Sequence, residues 1–160
     1  MISRFEALRL DMTLEYPKHV AGAGMNAIAM IEDRITQEGR NAKGSALKPY
    51  SKAYLKFKQN PQLTQRGKDL GLGSSRFSGK TDYMLTGAFW RDIQLRELRA
   101  AGNNINVTIG PSADVNFKIM QSLTKRDGFP LTLSDTETEI LQQELKVNLI
   151  NIVEKHFPTK

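Results

Sequence analysis

Cysteine is absent from this 160-residue chain. That excludes a disulfide framework, a thiolate-bound metal and a cysteine nucleophile. Histidine occurs only as His19 and His156, near opposite ends of the sequence, so no H-x-x-x-H or HExxH spacing is present and a metal site lacks ligands. No apolar run approaches the roughly 18 residues that a membrane-spanning helix requires. The opening MISRFEALRLDM has no apolar signal-peptide core, which predicts a chain made in the cytosol and used there or built into a particle there. Acid is scarce in one place above all. From Arg40 to Lys80 there are ten basic residues and one acid, Asp69, a balance of +9 that leaves −3 for the rest of a chain whose total is +6. A mildly acidic body with a basic arm fits an anionic partner, either nucleic acid or an acidic protein face, although a loop kept soluble by lysine also fits.

What is present reads as one domain. Hydrophobic residues are 39% and charged residues 25% of the chain, an ordinary globular balance at a length that supports a real core. Ile2, Phe5 and Leu8 follow a helical spacing while Leu8, Leu10, Met12 and Leu14 alternate as in a strand; of the two the helix is preferred, ending before Pro17, which suits the first turn of the next helix. That helix, about 18–37, places Val20, Gly24, Ala27, Ile28, Ile31 and Ile35 on one face, and Gly39 fits a left-handed cap after it. Ser51 caps a short helix of about 52–59, which Asn60-Pro61 ends. Thr86 is read as the N-cap of a short helix with Phe89 and Trp90. Ile93 to Arg99 and the alternating Ile105, Val107 and Ile109 predict a β-hairpin turned at Gly102. A short helix over 114–123 is expected to turn Val115, Ile119, Met120 and Leu123 inward, and Leu131 and Leu133 to add a short strand. Ser134 with Glu137 forms a capping-box pattern for a final helix of about 135–155, with Ile140, Leu141, Leu145, Leu149, Ile152 and Val153 as its apolar stripe. The expected fold class is α+β: a small antiparallel sheet packed on long N- and C-terminal helices. Residues 39–84 are inserted between the first long helix and the hairpin as an extended basic arm.

Little of this is catalytic. GSSRFSGKT resembles a phosphate-binding loop, but five residues separate Gly73 from Gly79 where four are required, and no apolar strand precedes it. No G-x-S-x-G elbow occurs. The acid pairs Glu32/Asp33 and Glu137/Glu139 are expected on solvated helices. An enzyme, a cofactor and a metal are therefore not expected. The arm is the candidate contact surface, through Arg40, Lys43, Lys48, Tyr50, Lys52, Tyr54, Lys56, Phe57, Lys58, Arg66, Lys68, Arg76 and Lys80. Its aromatics, with Phe77, suit a protein interface first, pinning of the arm to its own domain second, and stacking on bases third. The second half of the arm, about 59–80, is expected to order only against a partner.

The order of these segments resembles the tail-completion and head–tail joining (neck) proteins of tailed bacteriophages. The likeness rests on the spacing Gly39, Gly44, Tyr50-Ser51, Tyr54, on Leu85-Thr86-Gly87, and on Pro130 through Ser134 before the last helix, and it spans most of residues 28–150. The chain departs from that pattern in having no His in Gln121 to Gly128 and Leu131 where an Arg follows the proline. The resemblance implies a non-enzymatic virion component, assembled in the host cytoplasm. It implies a homo-oligomeric ring between portal or adaptor proteins and the tail-tube side, with possible contact to genomic DNA in the channel and none to membrane. The alternative from the residues alone is a nucleic-acid-binding module that uses arm 40–80.

Overall fold

The structure is a computed structural model, and it describes residues 3–73, 75, 78–83, 87–101, 104–128 and 131–158. It is α+β, as expected: helices surround one two-stranded antiparallel sheet. Helix α1 spans Arg4–Leu14, and Ser3 caps it with Glu6 in a reciprocal capping box. α2 follows at Tyr16–Asp33 with Pro17 in its first turn, where a missing N–H costs nothing. Its last turn loosens into a π turn, Arg34–Glu38, which Gly39 closes at φ 67°. The face read from the sequence is the buried one: Val20, Ala27, Ile28, Ile31 and Ile35 are all core, with Ile31 and Ile35 fully inaccessible.

The hairpin is β1, Ile93–Ala101, paired with β2, Asn104–Pro111, and its register shifts between Leu95 and Glu97. It lies directly on α2 because Gly24 has no side chain. A Cβ there would stand 3.0 Å from both Leu95 Cδ1 and Val107 Cγ1. α6, Asp114–Asp127, and α7, Asp135–His156, complete the body. Asp92 joins the hairpin to α6 by accepting from Ser112, from the Ala113 amide at 2.8 Å and from Asn116 Nδ2 at 2.9 Å. The Ser112 hydroxyl first, then these amides, hold the Asp92 carboxyl down at about 2. The main core unites Ile28, Ile31 and Ile35 with Leu47, Tyr83, Phe89, Trp90, Ile93 and Leu131. Leu47 and Tyr83 come from the two roots of the arm, so the arm is anchored in the core at both ends.

Three expectations are corrected. Leu131 and Leu133 form no strand; the described residues there are turn and coil. On α6, Val115 and Ile119 face solvent at 65% and 41% exposure, while Met120 and Leu123 pack inward. On α7, Leu141 and Ile152 are buried, but Ile140 and Val153 lie outside at 52% and 37% exposure. The buried stripe is narrower than the apolar one: α7 packs on α2 and α1 along one side, and its other side is left in water. The cap expected at Thr86 lies outside the described residues; Gly87, at φ 74°, takes the N-cap position of α5, Ala88–Asp92.

α1 buries none of its residues. It is held to the end of α7 by Asp11, whose carboxylate accepts from Lys155 Nζ at 2.6 Å and meets His156 Nε2 at 2.9 Å, and by Phe5 against Phe157. Lys155 first, then His156, hold the Asp11 carboxyl below its usual value. A depressed carboxylate contributes fully above its unfolded pKa, about 4, and is lost as pH falls through the lowered folded value. Asp11→Asn is therefore expected to speed amide hydrogen exchange across α1 at neutral pH while α2 and the centre of α7 keep their protection. Wild-type protein should show the same release only on strong acidification. Equal α1 exchange in both proteins would show that this carboxylate is not the anchor.

Candidate functional site

The arm leaves the body after Gly39 and returns at Thr81, and these two points touch. A side chain at Gly39 would meet the Thr81 carbonyl at 3.2 Å, and Thr81 Oγ1 donates to the Lys48 carbonyl at 2.9 Å. The outgoing chain first makes a tight turn bridged between Arg40 and Ala46, with Asn41 Oδ1 accepting from the Lys43 and Ser45 amides at 3.0 and 3.1 Å. This exposes Lys43 at the tip. Helix α3 is Lys52–Gln59, as read from the sequence, and Ser51 accepts the Tyr54 amide at its cap. A 3-10 turn, Pro61–Leu63, and a short helix α4, Gln65–Asp69, follow. Within the stretch expected to order only against a partner, Pro61, Gly67 and Leu72 are buried. Gly67 is required there, since a Cβ would fall 1.8 Å from the Pro61 carbonyl oxygen.

The arm is tied down by two acids that sequence reasoning did not single out. Asp82 Oδ1 accepts from Lys58 Nζ at 2.6 Å and from the Tyr50 hydroxyl at 2.8 Å, and Oδ2 accepts from Ser78 Oγ at 2.5 Å. The Tyr50 oxygen in turn accepts the Asp82 and Tyr83 amides at 3.2 and 3.0 Å. Burial first, then the Asp82 carboxylate, push the Tyr50 phenol well above its ordinary value, so it remains a donor at any working pH. Asp127 accepts the Lys48 amide at 3.1 Å, the Tyr83 hydroxyl at 2.5 Å and Arg126 Nε at 2.6 Å. Burial raises the Asp127 carboxyl, but these donors outweigh it and hold it below the usual range. Tyr83, between the two carboxylates, is the only described non-glycine residue at positive φ, 52°. A bulky residue held there is strained, and its hydroxyl, amide and buried ring together keep it in place.

Of the residues expected to meet a partner, Lys58 is removed: it is fully buried and paired with Asp82. Tyr50 is structural. Tyr54 stacks edge-on against Tyr50 at 5.0 Å and tilts against Phe57 at 5.9 Å, and the Arg66 guanidinium covers Phe57 at 5.6 Å. Tyr54 and Phe57 thus pack within the arm itself, and among the described arm aromatics Tyr50 also has a body residue beside its ring, Arg126 at 5.8 Å. Arg40, Lys43, Lys48, Lys52, Lys56, Arg66 and Lys68 are exposed and Lys80 is half-buried. Arg76 and Phe77 lie outside the described residues. The acid pair Glu137/Glu139 splits. Glu139 is exposed, whereas Glu137 is buried and takes Arg34 Nε at 2.8 Å.

Between the arm and helices α5 and α6 opens a cleft of about 800 Å³. Tyr54, Tyr83, Phe89, Ile119 and Leu123 supply apolar walls, and Lys48, Arg66 and Arg126 supply charge; no Asp or Glu lines it among the described residues. Arg126 lies 5.8 and 5.2 Å from the Tyr50 and Tyr83 ring centres, and its Nη2 is buried without a hydrogen-bond partner among the described residues. Among those residues no cluster of His, Asp or Glu is placed to hold a metal ion, and no helix is long and apolar enough to cross a membrane.

The chain matches no protein-family model, no curated protein and no solved structure.

Proposed function

We propose that this chain is a structural component of a tailed-phage virion, a tail-completion or head–tail joining subunit that works as an oligomeric ring. The observation that carries the reading is the apolar surface left in water on three separate helices. Leu10 and Leu14 of α1, Val115 and Phe117 of α6, and Ile140, Val147 and Ile150 of α7 are all between 43% and 65% exposed. Apolar surface of this kind marks contact with other proteins, and its spread over several faces suits a subunit with neighbours on more than one side. The segment-order resemblance to neck proteins supplies the particular setting. In that setting the exposed bases of the arm serve a second contact, to a neighbouring head–tail protein or to DNA in the channel.

The test is assembly and complementation. Purified protein should form a closed oligomer by light scattering. Added to heads and tails produced without it, the protein should restore infectious particles. The combined variant Lys52→Glu, Lys56→Glu, Lys68→Glu changes only exposed arm positions. It is expected to fold and oligomerise but to restore joining at least about tenfold less well, because many arm contacts act together in a ring. A protein that stays monomeric and is dispensable for joining would end the proposal.

The exposed bases also favour a second reading, a nucleic-acid-binding module. That reading requires an affinity for DNA or RNA that falls steeply with salt. Absence of binding at low salt would remove it.

A further inference from the structure

The two edges of the hairpin are finished differently. β1 carries Arg96, Glu97 and Arg99, and the register shift between Leu95 and Glu97 makes Arg96 a bulged residue. Charges and a bulge are devices that keep an edge strand from pairing with another chain. β2 has neither. Its sequence, NINVTIGP, is uncharged, its side of the ladder is unbulged, and its one proline stands at the last position. Asn106, Val107 and Thr108 are exposed. Among the described residues β1 is the only backbone partner of β2, since no third strand and no loop hydrogen-bonds to it. In an antiparallel pair alternate residues turn their N–H and C=O away from the partner. A row of backbone donors and acceptors on the outer side of β2 is therefore left to water.

The space beside that edge is open. A groove of about 710 Å³ is lined by every residue from Val107 to Pro111. Successive strand residues point to opposite faces of a sheet, so a groove that touches them all follows the edge of the strand and not one face. Phe117 and Met120 of α6 and Leu131 supply apolar walls, and Arg96 and Asp114 contribute one charge of each sign. Groove and edge are thus both neutral, which suits an uncharged strand as occupant. Of the two described strands, β2 alone is uncharged and unbulged.

We propose that the outer edge of β2 pairs antiparallel with β2 of a second copy, across a two-fold axis near Val107, so that two hairpins become one four-stranded sheet. A strand without charge meets its own copy with no like charges opposed in any register. β1 offered in the same way would carry three charges and a bulge into the joint. The contact is isologous, so by itself it gives a closed dimer. It does not depend on the ring reading; within a ring it would join two rings face to face.

The experiment uses the full-length chain with substitutions at Asn106 and Thr108. Both are exposed, and both alternate with Val107, whose side chain is the one that meets α2 at Gly24, so the packing of the hairpin on the body is kept. Wild type is expected to dimerise in analytical ultracentrifugation. Asn106→Lys with Thr108→Lys sets like charges across the joint, twice by symmetry, and should weaken the dimer at least about tenfold. Circular dichroism checks that it stays folded. Asn106→Glu with Thr108→Glu should weaken it likewise, and an equimolar mixture of the lysine and glutamate variants should restore a one-to-one dimer. Because the chain has no cysteine, Asn106→Cys mixed with Thr108→Cys should cross-link between copies under mild oxidation, whereas Gln94→Cys, at an exposed position of β1, should not. A wild type that is monomeric at every concentration overturns the proposal. So does a dimer that the lysine variant leaves unchanged, or one that the mixture fails to restore. If a ring forms and the lysine variant assembles as well as wild type, the ring reading stands and this contact is wrong.

Discussion

Lys58→Met is expected to cost about 3–5 kcal/mol of folding stability, one of the two largest single-residue effects in this chain. The Lys58 ammonium is wholly inaccessible, and its partner Asp82 keeps 6% of its side chain exposed. Removing the cation takes the ion-pair partner from a carboxylate held out of water, to which the Tyr50 and Ser78 hydroxyls also donate. Desolvation of an unpaired charge dominates such an outcome, because a lost surface ion pair costs a small fraction as much. The double variant Lys58→Met, Asp82→Asn should recover much of the loss, since it removes the buried carboxylate together with the cation and leaves the Tyr50 and Ser78 hydroxyls a neutral amide. Urea denaturation of wild type, both single variants and the double variant measures this directly. If Lys58→Met alone unfolds within about 1 kcal/mol of wild type, the pair is open to water and the arm is only loosely fastened.

Arg34→Met should cost a similar amount, by a different route. The guanidinium gathers three acceptors from separate parts of the chain: Glu137 Oε1 at 2.8 Å, the Thr132 carbonyl at 2.7 Å and the Arg40 carbonyl at 3.2 Å. It thereby clasps the start of the arm, the approach to α7 and the first turn of α7. The π turn places it there by widening the end of α2, so that Arg34 and Ile35 are both buried. Burial raises the Glu137 carboxyl, but Arg34 and the Ser134 cap outweigh it, so its net displacement is below the ordinary value. The sign follows: this carboxylate stabilises the fold above the unfolded glutamate pKa, about 4.3, and ceases to as pH falls through the lower folded pKa. The gap between wild type and Arg34→Met, measured as a difference in unfolding free energy, should therefore be widest near neutrality and narrow below about pH 4. A gap independent of pH would assign the loss to the two carbonyl contacts alone.

Local grammar is legible in the sequence. The capping box at Ser134, the Gly39 cap, the Ser51-to-Asn60 helix and the period of α2 are each decided by residues within a few positions of one another. The two-strand hairpin is legible for the same reason. What escapes is tertiary. A lysine in a basic stretch reads as solvated, and only the return of the chain at Asp82, beyond the last base of the arm, turns Lys58 inward. Asp127 stands in an Asp127-Gly128 pair, which by itself signals only a turn, yet it gathers donors from Lys48 and Tyr83 far away in sequence. Glu137 reads as a cap residue and is also an ion-pair partner across 103 positions. The apolar stripes on α6 and α7 are wider than what the fold buries, because period alone says which side faces in, and the neighbouring surface decides how much of that side is covered. Ile119 and Ile140, expected in the core, are accordingly found exposed.

The meeting of Gly39 with Thr81 makes the intervening segment a cassette in the sense used for transplantable loops. Its two ends already stand side by side and are fastened by Leu47, Tyr83 and the paired acids, so the entropy of closing it grows only slowly as it lengthens. Replacement of its outer part, past Lys58 and before Ser78, leaves both fastenings in place. The body can therefore be retained while the charged surface of the arm is exchanged, lengthened or recoded on its own.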